Sequence, residues 1–189
     1  MVNKKESGAV AELSEIIALK SGMHPYVAKR LRMAAALHDV GKIKIPESIL
    51  NKPEKLTEQE YEIVMKHTTI GANLLKSIKG ELGVMARIIS LFHHEFYDGS
   101  GYFGKHTCAL PVYVPIVTIC DTVVALLSER PYKAAWPLKE AVEYVGKQAG
   151  SQFNPALVEI FLSLVQNDAS TQALLSGLGL KDKSGYTGG

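Results

Sequence analysis

Four histidines, His38, His67, His93 and His94, and two aspartates, Asp39 and Asp121, stand where the helices that carry them would turn them inward. Imidazole nitrogens suit Fe, Mn, Zn or Ni, and a carboxylate can bridge two cations through its two oxygens. Six such donors exceed the four of a tetrahedral zinc, so the set predicts at least two metals. The adjacent pair His38-Asp39 would let the imidazole take one metal while the carboxylate reaches both. On a continuing helix the two side chains would diverge by about 100°, so the break at Gly41 belongs to the geometry. Lys42, one turn on, can aim its ammonium at a phosphate oxygen.

Each of these residues has an ordinary alternative. A His-Asp pair can cap a surface helix end, and Lys42 can be a solvated lysine. His67, on the face marked by Ile63, Val64, Ile70 and Leu74, can be a satisfied core histidine. His93 and His94 would not share a face on a straight helix, but at a fraying last turn both rings can converge on one ion. Asp121 lies amid Val117, Ile119, Val123 and Val124, where an unpaired carboxylate would cost several kcal/mol. It needs a cation, either a metal or a salt bridge to Arg87 or Arg130.

The elements that must position these groups read as helices nearly throughout, which makes the fold class all-α. Apolar residues recur at three- and four-residue spacing in Val10, Leu13, Ile16 and Ile17, and again in Val27, Leu31, Ala34 and Leu37. Pro25 starts a second helix that ends in His38-Asp39. Thr57 and Glu60 form a capping box for a third helix, running past His67 to about Lys76. A fourth starts near Glu81 and finishes at the two histidines. Asp98-Gly99-Ser100-Gly101 then breaks the pattern, and a loop runs to about Pro111, where the helix carrying Asp121 begins. Asn154 before Pro155 opens another helix through Leu164. Residues 1–176 read as one domain and 177–189, rich in Gly, Ser and Lys, as a flexible tail.

At 189 residues, 47 % hydrophobic and 21 % charged, the chain can bury a core without staples. A formal net charge of +2 argues against a duplex nucleic acid partner. The two cysteines, Cys108 and Cys120, and the lack of a secretory h-region in the first thirty residues point to a cytoplasmic setting. The longest apolar run, Leu110 to Leu127, is interrupted by Pro111, Pro115 and Asp121, so no membrane span is expected.

Together, His38-Asp39-x-Gly41-Lys42, His67, His93-His94 and Asp121 resemble the HD superfamily of metal-dependent phosphohydrolases. The run His94-Glu95-x-x-Asp98-Gly99-Ser100-Gly101-Tyr102 is similar to the HD-GYP branch in particular. So are Arg130-Pro131-Tyr132-Lys133 and Gly150-x-Gln152-Phe153-Asn154-Pro155, and the likeness covers about residues 6 to 165. The resemblance implies a helical bundle of the HD type with its metal centre in the core. It implies a bacterial signalling phosphodiesterase that hydrolyses cyclic di-GMP, or a related cyclic dinucleotide, to linear pGpG, and leaves open whether cleavage goes on to GMP. Two divalent transition metals are implied, Fe or Mn ahead of Ni or Zn. His38, Asp39 and Asp121 would hold one, and Asp39, His67, His93 and His94 the other. Lys42 and Asp39 would serve catalysis, Lys42 by neutralising phosphate charge, while Arg130 and Lys133 would clamp the ligand's phosphates. Tyr102 and Asp98 are further candidates for substrate contact.

The departures from that pattern are specific. Phe103 stands where the signature has proline, and the following loop is one residue short. Phenylalanine would leave the loop mobile and add an apolar group beside the metals, so a proline there is expected to raise turnover. An arginine position of the family falls on Pro115, a second aspartate position on Val124, and a glutamate position for a third metal on Val2. Glu6 replaces an N-terminal histidine ligand and is a candidate oxygen donor. These losses leave open a second function, a non-catalytic cyclic dinucleotide receptor or a module that docks a partner such as a diguanylate cyclase domain.

Overall fold

The structure is a computed structural model and describes residues 4–129 and 134–178. Ten α-helices among them follow in chain order: α1 (Lys4–Lys20), α2 (Pro25–Ala35), α3 (Glu47–Leu50), α4 (Glu58–Met65), α5 (His67–Leu74), α6 (Gly80–Phe92), α7 (Tyr113–Leu127), α8 (Leu138–Lys147), α9 (Pro155–Asn167) and α10 (Ala169–Leu178). No β-strand occurs among the described residues, apart from one isolated bridge between Ala149 and Phe153. None of these helices is long and apolar enough to cross a membrane.

The bundle is built on α1, which packs against α2 and α7, while α2 packs on α6 and α6 on α5. Leu13, Ile17, Leu31, Ile89, Ile116, Ile119 and Phe161 meet in the core, fully buried or nearly so. Burying such a side chain contributes about 1.5–3 kcal/mol, so these seven outweigh any polar contact at the surface. The helix starts follow local chemistry. Thr57 and Glu60 form the reciprocal capping box, and the Asn154 side chain accepts the Ala156 N–H ahead of α9.

Two helix ends fall elsewhere than the periodicity suggests, and a third falls where it was expected. The second helix stops at Ala35 and tightens into i→i+3 bonds, His38 N–H to Ala35 and Val40 N–H to Leu37, before a 3₁₀ turn over Val40–Lys44. The third is interrupted at Lys66, so α4 and α5 are separate and His67 opens α5. The fourth finishes at the two histidines as expected, with Phe92 its last residue and His93 its C-cap, whose N–H still reaches the Ile89 carbonyl. At the ends of α2 and α4 the last 3.6-residue turn gives way to a tighter one, His38 N–H to Ala35 and Lys66 N–H to Ile63, which swings the next side chain off the old face.

Glycines let these ends close on one another. A Cβ on Gly41 would collide with the His67 carbonyl and the Gly71 nitrogen, and one on Gly71 would collide with the Ser90 hydroxyl. Backbone-to-backbone approach of the 3₁₀ turn to α5, and the close fit of α5 on Ser90 of α6, bring together the segments that carry Asp39, His67 and His93.

Candidate metal centre

Three imidazoles are aimed by their own helices. His38 Nδ1–H donates to the Ala35 carbonyl at 2.7 Å, His67 Nδ1–H to Val64 at 2.7 Å, and His93 Nδ1–H is shared between Ile89 and Ser90 at 3.0 and 3.1 Å. Spending Nδ1–H on a carbonyl leaves each Nε2 with a lone pair, the form in which imidazole binds a metal. Those Nε2 atoms converge on Asp39. Its Oδ1 lies 3.3 Å from His67 Nε2 and 3.7 Å from His93 Nε2, and its Oδ2 lies 3.3 Å from His38 Nε2. Asp121 Oδ1 faces the same His38 nitrogen at 3.4 Å. Donor atoms of Asp39, His67, His93 and His94 lie within 4.8 Å of one another, as do those of His38, His93 and Asp121.

Without a cation this arrangement is unfavourable. His67 Nε2 and His93 Nε2 stand 3.4 Å apart, and Asp39 Oδ1 is a buried carboxylate oxygen that accepts no hydrogen bond. Lone pairs converging around an unpartnered buried anion carry a desolvation cost that a divalent ion removes. The donor set thus fits a metal centre.

The titration behaviour follows the same geometry. Burial opposes charging His38, but Asp39 and Asp121 outweigh it and push the imidazole up to about 10. His67 is pushed down to about 4 by burial and by His93, and burial with His93 also holds His94 well below its ordinary value. Burial would raise Asp39 and Asp121, yet His38 keeps both low, with Lys42 adding to the effect on Asp39. A metal and a proton compete for the same place between His38 and its carboxylates.

The family model for the HD domain matches residues 2–157. The chain belongs to the HD domain family. It is 40 % identical over 154 residues to the cyclic di-GMP phosphodiesterase response regulator RpfG of Xanthomonas campestris, covering 81 % of this chain and 41 % of that protein. It is 39 % identical over 163 residues to the 3'3'-cGAMP-specific phosphodiesterase 2 of Vibrio cholerae, covering 84 % and 31 %. The chain therefore spans less than half the length of these relatives. Its fold is similar to that of Bd1817, a solved HDGYP protein from Bdellovibrio bacteriovorus, with TM-score 0.69, 18 % identity, and 85 % and 51 % of the two chains covered.

In this HD domain, Lys42 lies against the centre, its Nζ 2.5 Å from Asp39 Oδ2. Asp121 is paired with His38 rather than Arg87. Tyr102 lies tilted over His94, with centroids 4.5 Å apart at 31°. Glu6 on α1 is in neither ligand group. Asp98 is an exposed turn residue whose carboxylate accepts the Ser100 N–H and hydroxyl at 2.9 and 2.6 Å. Pro115 and Val124 are buried in the wall of α7. Arg130, Lys133 and Val2 lie outside the described residues. His24 caps α2 by accepting the Tyr26 N–H, and Trp136 packs on the core.

Phe103 packs its ring edge-on against Phe92 at 6.0 Å, and the residue is 43 % exposed. The loop that carries it is pinned by Glu95, a fully buried carboxylate that accepts the N–H groups of Phe103 and Lys105 at 2.7 and 2.6 Å. Tyr97 and Asp98 add backbone bonds to Gln152 and Ser151. Gly101 lies directly on the His94-Glu95 backbone, where a Cβ would not fit. Glu95 escaped the sequence reading because its role depends on where the chain returns eight and ten residues later. The signal available was an acidic residue set between a ligand histidine and a glycine-rich turn. Tyr61 of α4, edge-on to Tyr102 at 5.9 Å, was likewise missed.

Proposed function

We propose that this HD domain is a metal-dependent phosphodiesterase that opens a cyclic dinucleotide, cyclic di-GMP first, to its linear form. The observation that carries this reading is Asp39, whose two oxygens face separate groups of imidazole lone pairs, with one oxygen buried and unpartnered. Asp39, His67, His93 and His94 would hold one ion. His38, Asp121 and the second Asp39 oxygen would hold the other, and Fe or Mn suits this mix of imidazole and carboxylate. His93 Nε2 stands in both groups, but one lone pair serves one ion, so it is assigned with His67. When bound, the ions would supply a water of lowered pKa and charge stabilisation at phosphorus.

The chain's own residues would do the rest. Lys42 sits beside Asp39 Oδ2 and would place positive charge where a phosphate oxygen arrives. Tyr102 covers His94 and would shield that side of the centre from water. Arg130 and Lys133 would clamp the phosphates. Relatives whose names specify cyclic di-GMP and 3'3'-cGAMP both share about 40 % identity with the chain, so cyclic di-GMP and the mixed dinucleotide are both substrates to test.

The test is anaerobic purification with elemental analysis, then incubation of Mn- or Fe-loaded protein with each dinucleotide and separation of the products. About two metals per chain and a linear product are expected. Tight binding by fully loaded protein with no linear product would replace the enzyme by a receptor.

A further inference from the structure

We propose that Tyr61 is the surface on which a base of the substrate stacks, which makes α4 the outer wall of a nucleotide pocket. This rests on the cyclic dinucleotide reading above and names a residue that neither the ligand set nor the phosphate contacts include. Rings lead outward from the metal centre in sequence. His94 lies under Tyr102 at 4.5 Å, and Tyr102 meets Tyr61 edge-on at 5.9 Å and 78°. Tyr102 is already committed: His94 tilts against it, His67 and Tyr61 meet it edge-on, and its N–H reaches the His94 carbonyl at 3.4 Å. Tyr61 has Tyr102 as its ring partner and is 47 % exposed. It therefore keeps aromatic surface open beside the site.

That ring is held in place. Glu60, the preceding residue, closes the Thr57 capping box and accepts Lys52 Nζ at 2.8 and 2.7 Å. The start of α4 is thus tied down on two sides, and an aromatic on a fixed helix presents a pre-set face. A phosphate at Asp39 and Lys42 carries its base one sugar away, and the row of rings from His94 through Tyr102 to Tyr61 offers that base aromatic surface on the way out. Stacking reads a π-face rather than hydrogen-bond donors, so guanine and adenine should both be accepted.

The experiment compares Tyr61→Leu, Tyr61→Phe and Tyr61→Trp in metal-loaded protein. Tyr61→Leu should raise KM roughly 5- to 100-fold for cyclic di-GMP and 3'3'-cGAMP alike, as expected for loss of one stacked base, with kcat and metal content nearly unchanged. Tyr61→Phe should restore KM, since the ring and not the hydroxyl does the stacking. Tyr61→Trp should lose indole emission when cyclic di-GMP is added, beyond any change from Trp136 in the parent. A KM for Tyr61→Leu equal to wild type, or unquenched emission from Tyr61→Trp under conditions where calorimetry shows binding, would overturn the stacking role alone. A fall in kcat together with metal loss would also overturn it, by making Tyr61 a prop for Tyr102. Wild-type protein that neither binds nor cleaves either dinucleotide would instead defeat the substrate reading, and the stacking proposal with it.

Discussion

Replacing Phe103 by proline tests whether the loop over the metal centre is held by a ring or by a buried carboxylate. Proline has no N–H, so Phe103→Pro deletes the 2.7 Å bond to Glu95 Oε1. Glu95 is fully buried, so water does not replace that donor, and Lys105 N–H is left to hold the other oxygen. A hydrogen bond to a charged group contributes about 1.5–3 kcal/mol, and stranding the acceptor makes the upper part of that range the better guide. For a chain of this size each kcal/mol moves Tm by about 2–4 °C, so Phe103→Pro should melt roughly 5–10 °C lower. Phe103→Ala is the control, because it keeps the N–H and removes only a 43 % exposed ring with one edge contact to Phe92. That change should cost under about 1 kcal/mol, or about 2–4 °C. Turnover should fall with Phe103→Pro as Tyr102 loosens over His94, the reverse of what a stiffer loop would give. Thermal melting and initial rates on matched metal loading decide it. A Phe103→Pro protein that melts with Phe103→Ala, or turns over faster than wild type, would refute the role of Glu95.

Asp39→Ala should take the metal content from about two per chain to near zero by elemental analysis, because one carboxylate faces both groups of imidazoles. Lys42→Ala should keep its metals yet lose most of its turnover; unchanged kcat would leave the lysine as a partner of Asp39 and nothing more. Arg130→Ala and Lys133→Ala should each weaken cyclic di-GMP binding in calorimetry by roughly 1–3 kcal/mol with metal content intact. For chelated protein, the His38 imidazole is pushed up to about 10 from 6.5. A raised folded-state pKa stabilises fully below the unfolded value and is lost as pH climbs through the folded one. The Tm of chelated protein should therefore fall between about pH 7 and pH 10, and metal loading should flatten that slope; a flat profile in chelated protein would contradict the His38 pairing.

How much of this was legible in the sequence depends on what each residue needs to know. The chemistry of His38, Asp39, His67, His93, His94 and Asp121 could be read because donor type and inward helical position are local properties, and the capping box at Thr57 and Glu60 is local too. The exact ends of two helices could not be read. Apolar periodicity averages over several turns and does not separate a 3.6-residue turn from a 3.0-residue one at Ala35 or Lys66. The Glu95 pin and the Tyr61–Tyr102 contact were hidden because they join segments whose approach is set by packing, not by spacing.

The tightened helix ends explain the chemistry better than the helices themselves. A helix that stops leaves its last carbonyls short of a full set of partners. In this domain the carbonyls of Ala35, Val64, and Ile89 with Ser90, all near helix ends, take Nδ1–H from His38, His67 and His93. Ala35 and Ile89 also accept the backbone N–H of His38 and His93, so each of these two carbonyls holds its histidine by main chain and ring together. Tautomer and aim are therefore set by the same carbonyl at these sites. Gly41 and Gly71 allow the backbones to close until Nε2 lone pairs stand 3.4 Å apart around an unpartnered Asp39 oxygen. Extending α2 through His38 as a regular helix, or fusing α4 and α5 into one, would rotate His38 or His67 away from Asp39 and open the donor set.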